Sequence, residues 1–106
     1  METGQKIKEA AKIIGDATGV AKVILFGSHA RGTATTDSDV DLLVIEPEVK
    51  NRAEETLRLR KAIRSLRMAN DLLVYSVADV EKCRHSRSST IYWALREGKV
   101  LYDKLE

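Results

Sequence analysis

Apolar residues in this chain fall into two alternating patterns, one of helical spacing and one of short continuous runs. From Thr3 to Thr18 the residues Ile7, Ala10, Ala11, Ile14 and Ala17 form one stripe, with Lys8, Lys12 and Asp16 off it. This predicts an amphipathic helix, and Gly19 ends it. Val20 to Phe26 is a strand-type run broken only by Lys22 and stopped by Gly27-Ser28. Ser28 to about Ala34 reads as a short helix, and Thr35 to Ser38 as a turn. Val40 to Ile45 is nearly all apolar, suits a central strand, and is closed by Pro47. Asn51 to Ala69 predicts the longest helix, with a core stripe of Leu59, Ala62, Ile63, Leu66 and Ala69. Leu57 and Met68 fall on its opposite, basic face and read as a partner surface. A third strand follows from Asp71 to Tyr75, then a helix from Val77 to about Arg84 and a polar loop to Ser89. A last helix, Thr90 to Glu97, is capped by Ser88 or Ser89 and ended by Gly98; Val100 to Tyr102 adds an edge strand.

This order predicts an α/β fold, a small β-sheet packed with helices. Only a short turn region joins the first two strands. A parallel crossover needs a dozen or more residues, so these strands are expected to run antiparallel within a mixed sheet. At 106 residues the chain reads as a single domain, 1–106, with one modest core. Hydrophobic residues make up 43% and charged residues 32%, the balance of a globular protein. No run reaches membrane-spanning length, and the N-terminus lacks the apolar core of a signal peptide. Cys83 stands alone, which rules out an internal disulfide and favours a reducing, cytoplasmic setting. A net charge of +2 is too small to argue for nucleic acid. With no aromatic and basic stacking platform in the sequence, a template-directed polymerase is disfavoured.

The candidate chemistry lies in two adjacent segments, Gly27-Ser28-His29-Ala30-Arg31-Gly32 and Asp37-Ser38-Asp39-Val40-Asp41-Leu42-Leu43-Val44. Side chains alternate along a strand, so Asp39 and Asp41 share a face. Two carboxylates that close repel unless a cation lies between them. An all-oxygen ligand set suits Mg²⁺ or Mn²⁺ rather than zinc. Gly27 and Gly32 permit close approach of backbone to a ligand. Ser28 alone reads as an ordinary helix cap, Arg31 as either a phosphate grip or the partner of an Asp, and His29 as an exposed position. Asp71 opens the third strand. If that strand neighbours the second, Asp71 stands beside Asp39 and Asp41, and three carboxylates can hold two metals.

Taken in order, Gly27-Ser28-x-Ala30-Arg31-Gly32 and Ser38-Asp39-x-Asp41-Leu42-x-Val44 resemble the signature of the minimal nucleotidyltransferase (MNT) family, within the DNA polymerase β-like nucleotidyltransferase superfamily. The resemblance extends to a later strand opening on Asp and to the ending Ala94-Leu95-Arg96-Glu97-Gly98-Lys99-Val100-Leu101-Tyr102. It implies a nucleotidyltransferase fold, a Mg²⁺–nucleoside triphosphate substrate, expected to be ATP, and transfer of AMP to an acceptor hydroxyl. Carried over by position, Gly27, Ser28 and Arg31 belong to the nucleotide site. Asp39, Asp41 and Asp71 are the implied catalytic metal ligands. Relatives of this size are often encoded beside a HEPN-domain toxin, which they neutralise by AMP addition, by contact, or both; a small-molecule nucleotidyltransferase is the alternative, disfavoured by the lack of an added substrate-binding domain. With no second domain to enclose the nucleotide, an oligomer or a partner is expected to complete the cleft.

Overall fold

The computed structural model describes residues 2–105. Four strands form one sheet in the order β3-β2-β1-β4: β1 (Lys22–Phe26), β2 (Val40–Glu46), β3 (Asn70–Ser76) and β4 (Lys99–Asp103). β1 runs antiparallel to both β2 and β4, whereas β2 and β3 are parallel. The sheet is therefore mixed, as expected, although the β1–β2 connection, residues 27–39, carries the helix Ser28–Arg31 and is not short.

Helices cover both faces. On one face α1 (Thr3–Thr18) and α3 (Arg52–Ala62) pack through Ile7, Ala10, Ala11, Ile14, Leu59 and Ile63 onto Val23, Leu25, Leu42, Val44, Leu72 and Val74. On the other, α4 (Val77–Cys83) and α5 (Thr90–Glu97) set Val80, Ile91 and Ala94 against Ile24, Leu43 and Ile45. The two central strands are thus buried on both sides, which explains why their sequences run apolar without alternation. The short α2 (Ser28–Arg31) closes one end of the sheet between β1 and β2.

The element boundaries follow local chemistry. Asn51 Oδ1 accepts from the Glu54 N–H at 3.1 Å, Ser76 Oγ from Asp79 at 3.1 Å, and Ser89 Oγ from Ile91 at 3.1 Å, opening α3, α4 and α5. The third helix is shorter than its periodicity suggests. It stops at Ala62, passes through a 3₁₀ turn (Arg64–Leu66), and reverses at Arg67, whose φ is +52°. The chain must turn back to bring β3 into register beside β2, and tertiary demand overrides the helical pattern. Ile63 and Leu66 still reach the core, and Met68 packs against it from the turn rather than from a helix face. Leu57 stays exposed, at the rim of a groove shared with Arg60, Lys61, Arg64 and Arg67. Ala17, assigned to the α1 stripe, is exposed; Gly15 is buried in its place.

Gly15 is required by packing. The Tyr102 ring of β4 lies against it, and the phenol donates to the carbonyls of Gly15 at 3.3 Å and Gly19 at 3.2 Å. At the far end of β2, Glu46 is buried beneath α3, with Oε2 lacking a partner. Burial, and then a hydrogen bond with Glu55, raise its pKa to about 8. Glu55 moves the other way, to about 2, chiefly because the Arg58 guanidinium binds it through two bonds of 2.7 and 2.8 Å. Burial beside the Glu55 carboxylate thus makes Glu46 hold its proton to higher pH than an ordinary carboxyl. Arg58 also donates to the Ala17 carbonyl at 3.2 Å, tying α3 to the end of α1.

Two predictions follow from this packing. Gly15→Ala forces the Tyr102 ring out of place, and the lost contacts outweigh the helix propensity gained, a net destabilisation of about 1 kcal/mol. Gly4→Ala, where a Cβ meets only Glu2 at 3.9 Å, has the opposite sign; urea denaturation of the two variants checks the contrast. Because the folded-state pKa of Glu46 is raised, its contribution is fully present below its ordinary value of 4.5 and is lost as the pH rises through about 8. Glu55, depressed, contributes above 4.5 and loses that contribution only in strong acid. Glu46→Gln is expected to abolish the decline between these limits, so its urea midpoint stays level from mildly acidic to mildly alkaline buffer while that of the wild type falls.

Candidate active site

The last residue of β1 and the first residues of β2 and β3 meet at one end of the sheet, because β1 runs against the other two. Phe26 pairs with Asp41, and Asp41 with Asp71 in the parallel register. Directly paired residues project from the same face, so Asp41 and Asp71 stand side by side. Asp39 precedes Asp41 by two positions and shares that face. It is the face covered by α4 and α5, since Leu43, Ile45, Leu73 and Tyr75 belong to that core.

Asp41 is half-buried, whereas Asp39 and Asp71 are exposed. Burial raises the Asp41 pKa, and the neighbouring Asp71 and Asp39 raise it further; His29 and Arg31 pull in the opposite direction. Among the described residues, no salt bridge reaches any of the three. Nor do three acidic, His or Cys side chains there form a ready-made metal cage. What the fold supplies is a row of hard carboxylate oxygens, mutually repelling and open to one side. Mg²⁺ is commonly bound through one or two carboxylates together with substrate phosphates and water, and this donor set fits that mode.

Gly27 sits against the middle carboxylate. Its φ is +75°, and a Cβ there would collide with Asp41 Oδ2. Its carbonyl accepts from the Ala30 and Arg31 N–H groups, both at 3.1 Å, which starts α2. Gly27 thus occupies the cap position itself. Ser28 is the first helical residue, and no side-chain bond caps α2, so the reading of Ser28 as an ordinary cap does not hold. Gly32, left-handed at φ +77°, ends the turn. His29 is half-buried rather than exposed, and its Nε2 lies 3.3 Å from the Ser38 carbonyl, strapping α2 to the turn before β2.

The structure therefore gathers Gly27, Ser28, Arg31, Asp39, Asp41 and Asp71 at one end of the sheet. Sequence reasoning missed the far wall. Arg31 borders a cleft of about 230 Å³ with Phe26, Gly27, Thr90, Trp93 and Glu97. An aromatic surface is present beside the turn after all. No local motif signals it, since α5 reaches this end only through the order in which the strands assemble.

Known proteins share this architecture. The family described as nucleotidyltransferase domain matches residues 7–104. A solved structure named as a minimal nucleotidyltransferase is 30% identical with a TM-score of 0.63, covering 92% of this chain and 91% of that one. A chain from the complex of tri-AMPylated Shewanella oneidensis HEPN toxin with MNT antitoxin superposes with a TM-score of 0.57 at 19% identity, over 96% of this chain and 73% of that one. At that identity the likeness concerns the fold. A Methanocaldococcus jannaschii protein named as a protein adenylyltransferase is 50% identical over 44 residues, which are 42% of this chain and 28% of the relative. The chain thus spans little more than a quarter of that curated relative. The family match, by contrast, runs from the first core helix through the last strand, and the fold is shared with a minimal nucleotidyltransferase: the chain belongs to the nucleotidyltransferase-domain family.

Proposed function

We propose that this nucleotidyltransferase transfers AMP from ATP to a hydroxyl of a partner protein, and that it serves as the antitoxin of a HEPN-domain toxin, the whole chain acting as one minimal domain. The observation that carries the reading is the half-buried Asp41, flanked by Asp39 and Asp71 and pressed against the Gly27 turn. The S. oneidensis complex and the M. jannaschii relative support the choice of nucleotide, acceptor class and partner.

Asp39, Asp41 and Asp71 would hold Mg²⁺ or Mn²⁺, which when bound offsets triphosphate charge and acidifies the acceptor hydroxyl. Gly27 and Ser28 bind the β- and γ-phosphates through N–H groups and the Ser28 hydroxyl, and Arg31 offsets phosphate charge from the end of α2. Asp71, exposed on an edge strand, accepts a hydrogen bond from the incoming hydroxyl and orients it. That oxygen forms its bond to the α-phosphorus as the bond to the β-phosphate oxygen breaks. Pyrophosphate leaves, and the hydroxyl proton passes to the Asp71 carboxylate and from there to water. The chain contributes mainly positioning and charge complementarity.

The test is transfer of label to a HEPN-domain partner in the presence of Mg²⁺. ATP labelled at the α-phosphate is expected to label the partner, and ATP labelled at the γ-phosphate is not. Label from the γ-position, or none from either, sinks the reading. Asp41→Asn and Asp39→Asn are each expected to reduce transfer by more than about a hundredfold with the fold retained by circular dichroism. Chelation by EDTA is expected to stop transfer, and added Mg²⁺ or Mn²⁺ to restore it. Gly27→Ala, which puts a methyl group where the Asp41 carboxylate lies, is expected to lower both the melting temperature and the transfer rate.

A further inference from the structure

We infer that the cleft between α2 and α5 seats the nucleobase of the nucleoside triphosphate, stacked on Trp93. This rests on the nucleotidyl-transfer reading and concerns the part of the substrate that the phosphate turn and the carboxylates leave unaccounted for. The cleft begins at the same Gly27 whose backbone lies against Asp41, and Phe26, Arg31, Thr90, Trp93 and Glu97 complete its lining. A triphosphate held at that turn has its nucleoside end within reach of this wall.

Trp93 is unusual in being both exposed and fixed. It is 45% exposed, yet its indole N–H donates to the Arg87 carbonyl at 2.8 Å. Tyr92 meets it edge-on with ring centroids 5.0 Å apart. A ring already held in place gives up little further freedom when a ligand docks. Its polar edge is occupied, so what it offers is an apolar π-face, the surface on which bases stack. The Thr90 hydroxyl, the Glu97 carboxylate and the Arg31 guanidinium supply polar groups at the rim for the edge of the base and the sugar. Two larger grooves, of about 520 Å³ each, include neither Gly27 nor any Phe, Tyr or Trp side chain.

The chain contains one Trp, so its fluorescence reports this cleft directly. With Mg²⁺ present, ATP is expected to quench the emission in a saturable manner, whereas inorganic tripolyphosphate competes for the site without that quench. By calorimetry, Trp93→Ala is expected to bind ATP roughly tenfold more weakly while holding tripolyphosphate as before; Trp93→Phe restores most of the loss. ATP binding that neither quenches Trp93 nor weakens in Trp93→Ala overturns this inference and leaves nucleotidyl transfer standing. Failure of the wild-type protein to bind ATP at all overturns both.

Discussion

Like-charge crowding at the start of β2 is the constraint around which this end of the molecule is organised. Asp41 is drawn partly out of water between Asp39 and Asp71, and among the described residues no cationic side chain is bonded to any of the three. Such an arrangement opposes folding unless the surrounding strands are held by something stronger. Here β2 is hydrogen-bonded on both sides and buried on both faces, with Leu42, Leu43 and Val44 fully inaccessible. Apolar burial of that extent, at roughly 25 cal/mol per Å², is what holds three carboxylates where they repel. The hydrophobic pattern and the chemistry thus belong to one strand: its middle secures the fold, and its first residues carry the charge.

Much of this was legible in the residues. The runs around Val23–Phe26 and Val40–Ile45 lack alternation because both faces are covered; that feature marks the second as a central strand and the first only as a strand. Asp39 and Asp41 could be set on one face by alternation alone. Asp71 could be joined to them only on the condition that β3 neighbours β2, a pairing that depends on how the chain returns after α3. The overlong third helix shows the limit from the other side. Its apolar spacing continues past Ala62, but the reversal at Arg67 is set by the sheet, which no local window contains. The same holds for the cleft. Trp93 and Phe26 are remote in the chain, and nothing near either residue announces the other. His29 shows a smaller version, since its bond to the Ser38 carbonyl arises only once α2 and the turn before β2 are folded together.

The glycines divide by what they make room for. Gly27 yields space to a carboxylate and Gly15 to an aromatic ring. One makes room at the carboxylate end of the sheet, and the other lets the edge strand β4 lock onto α1. Neither role follows from a glycine's position in a motif; both depend on which side chain the fold presses against it.

The two ends of β2 treat acidic residues in opposite ways. Glu46 is buried beside the Glu55–Arg58 pair, an environment that favours its neutral form. Asp41 is left unsettled at the other end. If a cation binds at the Asp41 end as proposed, occupancy is coupled to cohesion along this strand. Whatever positive charge enters between Asp41 and Asp71 relieves a repulsion lying across the β2–β3 seam, and so acts as a staple between a central strand and an edge strand. On that reading the loaded protein is the stiffer one, and the β2–β3 seam is the one that loosens when the charge departs.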